Sequence, residues 1–239
     1  VSDMHQVPLG IYRTAQDSLS TQDFKLGWRH PARSAYREAF RYWHKLIGLG
    51  KSSPYLCPDQ HERPFPAPLK YMSKIQEKPN CTYDVIVVAD WRNTPNLGQE
   101  MHRELLRLKE MNLNVGICQI ESLLYPSERS ETKSEIIQYL IHCGQVDEVM
   151  LDDPIYVRTV IVRQPDVAQF PPLVKCSWEI ESCLVVNQER EGNESIKFLP
   201  LQNDCVTNIE DLFSIRPFGI RISSNSLSES FAERPTYEY

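Results

Sequence analysis

The sequence lacks the short motifs that mark the commonest nucleotide, metal and hydrolase sites. It has no G-x-G-x-x-G dinucleotide fingerprint, no G-x-x-x-x-G-K-[ST] phosphate loop and no G-x-S-x-G nucleophile motif. It also has no Cys-x-x-Cys pair, and no group of histidines with the spacing of a zinc site. We therefore predict no metal site and no cofactor site within this chain, and the motifs assign no catalytic residue.

Positive charge and long apolar runs are also scarce. The 26 Lys and Arg residues are outnumbered by 32 Asp and Glu residues, and the net charge is -6. Nucleic-acid binding relies on clustered positive charge, so this balance argues against that function. No run approaches the roughly 18 apolar residues of a membrane span, and no secretory signal pattern is visible. Seven widely spaced cysteines, an odd number, are typical of a reduced protein, so we predict a cytoplasmic location.

Residues 1–82 differ in composition from the rest and are predicted to form an N-terminal extension. A basic, aromatic segment predicts a helix from Pro31 to about Leu46, with an apolar stripe of Ala35, Ala39, Tyr42, Trp43 and Leu46. Five prolines from Pro54 to Pro68 then indicate an extended connector. The helix could be a docking surface for a partner or a membrane. Alternatively it packs on its own domain through the stripe, and this second interpretation is favoured.

From residue 83 onward, strand-like and helix-like segments alternate. This alternation predicts an α/β, Rossmann-like domain over residues 83–226, with a mainly parallel sheet flanked by helices, and residues 227–239 as a tail or linker. Strands are predicted at Val85–Ala89, Val115–Ile120, Val146–Leu151, Arg158–Arg163, Cys183–Asn187 and Phe218–Ile222. One helix is predicted from the stripe of Leu97, Met101, Leu105, Leu108 and Met111. Two more helices are predicted to begin at the capping boxes Thr132–Glu135 and Thr207–Glu210.

Polar side chains follow several of these strands. In open α/β sheets, ligands bind beyond the carboxyl ends of the strands. Arg92 follows the first strand, Glu121 the second, and Asn187 ends the fifth. The turn after Arg92 delivers Thr94 as a helix N-cap, with free backbone N–H groups that favour an anion or a polar oxygen. A purely structural alternative is that Trp91 covers the sheet edge while Arg92 pairs with Asp90 or a helix carboxylate.

Other polar residues are better explained by structure than by chemistry. Asp152 and Asp153 could bind a metal or act as a base, but an acidic turn before Pro154 is the favoured interpretation. His102 is interpreted as a residue on a helix face. His142 lies near a helix C-terminus, where a cation is favourable, so it needs no catalytic role.

Four stretches, taken in order, resemble the amino-terminal half of bacterial GT-B glycosyltransferases. The first is YDVIVVADWR with the following GQEMHRELLRL and NVGICQIES; the others are VRTVIVRQPDVAQFPP, CLVVNQ and VTNIEDLFSIRPFGIRISSNSL. Together they span roughly residues 83–226, and the resemblance rests on their order and spacing. The chain departs from the family at residues 93–96, where Asn-Thr-Pro-Asn replaces a glycine-rich turn.

The resemblance implies one of two Rossmann-like domains that face each other across a cleft. The amino-terminal domain binds the acceptor, and a second domain, on the order of 150 further residues, binds the nucleotide sugar. The chain alone would then be inactive. It would be half of an enzyme that transfers a sugar to a surface-glycan acceptor, in the cytoplasm or peripheral to the inner membrane. The implied acceptor-binding residues are Arg92, Asn93, Thr94, Asn96, Gly98, Glu121 and Asn187.

Two other functions are compatible with the same pattern. One is a non-catalytic binding or scaffold module with a Rossmann-like fold. The other is a regulatory domain that binds a nucleotide, with its phosphate at the helix start near Pro95.

Overall fold

The computed structural model describes residues 30–54, 64–71, 82–92, 97–122, 132–163, 165–170, 172, 174–188 and 199–222. At residues 97–99, 187–188, 199–204 and 220–222 the description covers the backbone and not the side chains. The predicted turn at Asn93, Thr94 and Asn96 lies outside the described residues.

The described chain contains a six-stranded, all-parallel sheet with strand order β3-β2-β1-β4-β5-β6. Its strands are β1 Thr82–Ala89, β2 Val115–Gln119, β3 Asp147–Glu148, β4 Tyr156–Val162, β5 Glu179–Gln188 and β6 Phe218–Ile222. The helices are α1 Pro31–Gly48, α2 Leu97–Glu110, α3 Glu135–His142 and α4 Leu199–Phe213, with short 3-10 turns at Leu69–Tyr71 and Pro165–Ala168. The predicted α/β, Rossmann-like fold with a parallel sheet is confirmed.

The central strand β1 separates two apolar cores. On one face Val85 and Val87 pack with Leu105 of α2 and Leu140 of α3. On the other face Ile86 and Val88 join a cluster that includes Ile209 and Phe213 of α4 and Trp178. A strand that is buried on both faces consists of a continuous run of apolar residues, and this is why a strand could be predicted at Val85–Ala89.

Helix α1 packs beside the β3 edge of the sheet. His30 caps its N-terminus, because the ring Nδ1 accepts a hydrogen bond from the Ala32 N–H at 3.2 Å. Ala32 and Ala35 contact Met150, and the ring of Tyr42 lies 5.6 Å from that of His142 in an edge-to-face arrangement. The prediction that α1 packs on its own domain is therefore confirmed, although the proposed boundary at residue 82 stays a prediction.

Several predicted element boundaries were wrong; the fifth strand, for example, begins at Glu179 and not at Cys183. The third strand, predicted at Val146–Leu151, is limited to Asp147–Glu148, because the Met150 N–H donates to the Asp153 side chain at 2.8 Å and the chain turns there. The N-cap of α3 is Ser134 and not Thr132, since the Ser134 hydroxyl accepts from the Ile137 N–H.

The second helix start was wrong by several residues. The predicted capping box Thr207–Glu210 lies inside α4, which begins at Leu199. In α2, the stripe holds for Met101 and Leu105, but Met111 follows the helix and is exposed.

The described helices and cysteines are consistent with two further predictions. None of the helices that the structure describes is long and apolar enough to span a membrane. The five described cysteines, Cys118, Cys143, Cys176, Cys183 and Cys205, are all free thiols.

Candidate functional site

The candidate site lies at the carboxyl ends of β1, β2 and β4. From β1 the chain runs through α2 to β2 on one side, whereas from β4 it runs to β5 on the other side. The order of the sheet therefore reverses between β1 and β4. Such a reversal opens a crevice at the strand ends, which is where open α/β sheets bind ligands.

Asp90, the residue after β1, is the centre of the site. It is only 3% exposed. Its carboxylate accepts hydrogen bonds from the Arg92 guanidinium at 2.8 and 2.6 Å, from Gln119 Nε2 at 2.9 Å and from the Ser122 N–H at 2.9 Å. Burial alone would raise the pKa of Asp90, but these donors outweigh it and hold the pKa below its ordinary value. Asp90 is therefore a fixed, ionised anchor for its neighbours.

Arg92 is held between two carboxylates. It makes a two-pronged contact with Asp90, and its Nη1 atom lies 3.3 Å from a carboxylate oxygen of Glu121. Burial would lower the pKa of Arg92, but the two carboxylates raise it, so the guanidinium stays charged. The Asp90 end of this arrangement is buried, whereas the Glu121 side chain is 68% exposed. Only Glu121 is therefore open to a ligand without rearrangement.

Trp91, between Asp90 and Arg92 in the chain, is buried. Its indole N–H donates to the Cys118 carbonyl at 3.0 Å, and its backbone N–H donates to Gln119 Oε1 at 2.7 Å. The ring is buried in the core that contains α2 and α3. The alternative in which Arg92 pairs with Asp90 is thus correct, and this pairing also explains how Arg92 is positioned at the rim. That Trp91 covers the sheet edge stays a prediction.

Two further polar pairs complete the rim. Arg163, directly after β4, donates from Nε to Glu104 of α2 at 2.6 Å, and its side chain is 3% exposed. Its Nη1 atom is buried and has no hydrogen-bond partner among the residues that the structure describes. On the opposite side, the Ser122 hydroxyl donates to the carboxylate of Asp166.

The charges of the rim are not balanced. Within the described residues it contains two guanidinium groups, Arg92 and Arg163. Four carboxylates, those of Asp90, Glu104, Glu121 and Asp166, lie in direct contact with these groups or with Ser122. Both guanidinium groups are therefore paired with carboxylates, and the exposed carboxylate of Glu121 can accept further hydrogen bonds. The Nη1 atom of Arg163 is the one guanidinium atom named above that keeps an unused donor.

The predicted site residues are brought together in part. Arg92 and Glu121 are in contact, as an ion pair at the same rim. Asn187 lies near the end of β5, two strands from β1, and belongs to the same edge of the sheet by register. Gly98 lies in the first turn of α2, which follows the rim directly.

Arg163 and Asp166 were missed by sequence analysis. Arg163 could have been found, because it is a polar residue at the end of an apolar strand, the same criterion that selected Arg92 and Glu121. Asp166 carried none, because its contact with Ser122 spans 44 positions of the chain.

The residues with weaker predictions have structural roles. Asp152 pairs with His30 at 2.9 Å and with Lys70 at 2.5 Å, and Asp153 accepts from the Met150 N–H within the turn. The favoured interpretation of an acidic turn is therefore correct. His142 is the last residue of α3, but burial lowers its pKa, so it contributes through packing and not as a cation.

Comparison with known proteins adds no identification. No protein-family model, curated protein or solved structure matches the chain. The class that the structure defines is a Rossmann-like α/β fold with a polar rim at its switch point.

Proposed function

We propose that this chain is the acceptor-binding part of a GT-B glycosyltransferase. The reversal of strand order between β1 and β4 supports this proposal, because open α/β sheets bind ligands at such a reversal and the resemblance assigns this rim to the acceptor. The proposed acceptor site is built from Arg92 and Glu121, with Asp166 as an additional acceptor of hydrogen bonds.

The observation that carries the proposal is the excess of carboxylates at the rim. A sugar presents hydroxyl groups, which donate hydrogen bonds to carboxylates such as Glu121. A diphosphate needs unneutralised cations and free N–H groups instead. Arg92 is already satisfied by Asp90 and Glu121, so the rim suits a hydroxylated acceptor better than a nucleotide.

The proposal divides the reaction between two domains. This chain would orient the acceptor hydroxyl, and a second domain would hold the nucleotide sugar and stabilise the departing diphosphate. The enzyme would work in the cytoplasm, peripheral to the inner membrane, on a surface-glycan acceptor. This chain alone would bind the acceptor without transferring sugar.

Titration of the chain with unmodified oligosaccharides of two to four sugars tests the proposal. In 15N-labelled protein, we expect the amide signals of Glu121 and Ser122 to shift on addition of at least one of these oligosaccharides. The variant Glu121→Gln should bind about fivefold more weakly, because one charge-assisted hydrogen bond contributes on the order of 1 kcal/mol. Glu110→Gln, an exposed carboxylate at the end of α2, is the matched control.

The unpartnered Nη1 atom of Arg163 favours a second candidate, a regulatory domain that binds a phosphate-containing nucleotide. Titration with a nucleoside diphosphate sugar separates the two. Saturable binding that weakens in Arg163→Gln and is unchanged in Glu121→Gln would replace the acceptor proposal with this one. Oligosaccharide shifts confined to residues away from the rim would also contradict the acceptor proposal.

A further inference from the structure

We infer that the exposed face of α1 docks on a membrane surface that carries anionic phospholipid headgroups. This inference rests on α1 and does not depend on the acceptor proposal. The packed face of α1 includes Ala32, Ala35, Tyr42 and Trp43. The opposite face carries Arg37, Phe40, Arg41 and His44, which fall within an arc of about 100° at the period of an α-helix.

The positive charge of this face is not neutralised locally. The single carboxylate of α1, Glu38, turns inward and contacts the buried Lys133 at 3.0 Å. Lys45 pairs with Glu135 at 2.8 Å. Arg37 and Arg41 are exposed, and neither forms an ion pair with any residue in the described part of the chain. Two guanidinium groups therefore face solvent side by side on one helix.

Apolar groups accompany these arginines. Phe40 is 40% exposed, and Leu49, just after the helix, is 57% exposed. The Phe40 ring is held at a fixed position, because it lies 4.3 Å from the ring of His44 and 5.7 Å from that of Phe65. Aromatic rings and basic side chains on one helix face are the pattern of helices that lie at a bilayer surface.

Charge complementarity identifies the partner. The chain as a whole carries a net charge of -6, so an anionic surface repels most of it. The basic face of α1 places two guanidinium groups, unpaired within the described residues, one helical turn apart beside exposed apolar groups, so this face would point toward the bilayer. The aliphatic side chain of Leu49 offers no stacking surface to a nucleic-acid base, whereas a bilayer interface accommodates both Leu49 and Phe40.

Cosedimentation with vesicles tests this inference. The full chain should sediment with vesicles of 70% phosphatidylcholine and 30% phosphatidylglycerol at low salt, and neither with pure phosphatidylcholine nor in 0.5 M salt. Each Lys or Arg near an anionic bilayer changes binding about fivefold, so Arg37→Gln with Arg41→Gln should weaken it about 25-fold. Both side chains are exposed and form no ion pair, so the thermal midpoint should not change.

The matched control is Arg103→Gln with Lys175→Gln. These two residues are also exposed and form no ion pair with the described residues, and the double change removes the same charge. It should retain vesicle binding. The inference is overturned if the wild-type chain does not bind anionic vesicles, or if the control pair weakens binding as much as the α1 pair. It is also overturned if a single-stranded oligonucleotide binds more tightly than the vesicles through Arg37 and Arg41.

Discussion

The clusters around Lys133 and Arg92 each place one cation between two carboxylates, yet they differ in exposure. At the sheet edge, Lys133 lies 2.8 Å from Glu148 and 3.0 Å from Glu38, and all three side chains are at most 15% exposed. At the rim, Arg92 lies between the buried Asp90 and Glu121, which is 68% exposed. A closed cluster joins elements of the fold, whereas an open one retains a charged group that a ligand can reach.

Lys133→Met should give the largest effect on the free energy of unfolding. Burial alone would lower the pKa of Lys133, but Glu148 and Glu38 raise it, so the ammonium is charged in the folded protein. Its removal leaves two buried carboxylates without a cation, which costs about 3–5 kcal/mol. Urea unfolding measures the loss.

Lys45→Met is the control for this variant. Lys45 also lies 2.8 Å from a carboxylate, that of Glu135, but both side chains are at least half exposed. The change should leave the unfolding midpoint in place. Equal losses of unfolding free energy in Lys133→Met and Lys45→Met would show that the burial of an ion pair does not determine its contribution to stability here.

Asp90→Asn should have the next largest effect, about 2–3 kcal/mol at neutral pH, because its carboxylate accepts charge-assisted hydrogen bonds from Arg92. The folded-state pKa of Asp90 is lowered. Its contribution to stability is therefore present above the unfolded pKa of about 4 and is lost as the pH falls through the folded value.

The stability gap between wild type and Asp90→Asn should accordingly narrow below about pH 4, measured by urea unfolding across pH. Asp211→Asn, an exposed carboxylate on α4, should show no such gap at any pH. A gap for Asp90→Asn that widens as the pH falls would contradict the assignment of Asp90 as a buried anion.

Glu121→Gln should have the smallest effect on stability, within about 0.5 kcal/mol, since its side chain is mostly exposed. The same change is expected to weaken oligosaccharide binding. An unchanged urea unfolding curve together with weaker oligosaccharide binding would identify Glu121 as a group that contacts the ligand and does not stabilise the fold. A loss of stability as large as that of Asp90→Asn would remove the distinction between the two ends of this cluster.

Local sequence patterns located all six described strands of the sheet and the start of α1, but they misplaced the starts of α3 and α4. Continuous apolar runs located β1 and β2, and Phe218–Ile222 was predicted with its observed bounds. Thr132 was chosen as an N-cap because Glu135 follows three positions later. In the structure, the Ser134 N–H donates to the Trp91 carbonyl, and the backbones of Lys133 and Arg92 form an isolated antiparallel β-bridge. Because of this pairing, the segment stays extended until Ser134.

The start of α4 was misjudged for a different reason. The polar residues Thr207 and Glu210 lie on the exposed face of the helix, while Cys205, Ile209 and Phe213 form a buried stripe that continues through the supposed cap. A capping motif and an ordinary exposed helix face look alike in sequence. The rim contacts were unpredictable for a related reason, since Arg163 meets Glu104 across 59 positions of the chain.

The network around Asp90 also bears on the thermodynamics of binding. Its carboxylate is already held by Arg92, Gln119 and Ser122 before any ligand arrives. A ligand would thus meet a Glu121 carboxylate that pairs with an arginine whose rotamer is set in advance, and the entropy lost in ordering that long arginine side chain would not oppose association. The variant Gln119→Leu lacks the hydrogen bond from Gln119 to Asp90. In calorimetric titration with the oligosaccharide, we therefore expect this variant to bind with a less favourable entropy than the wild-type chain.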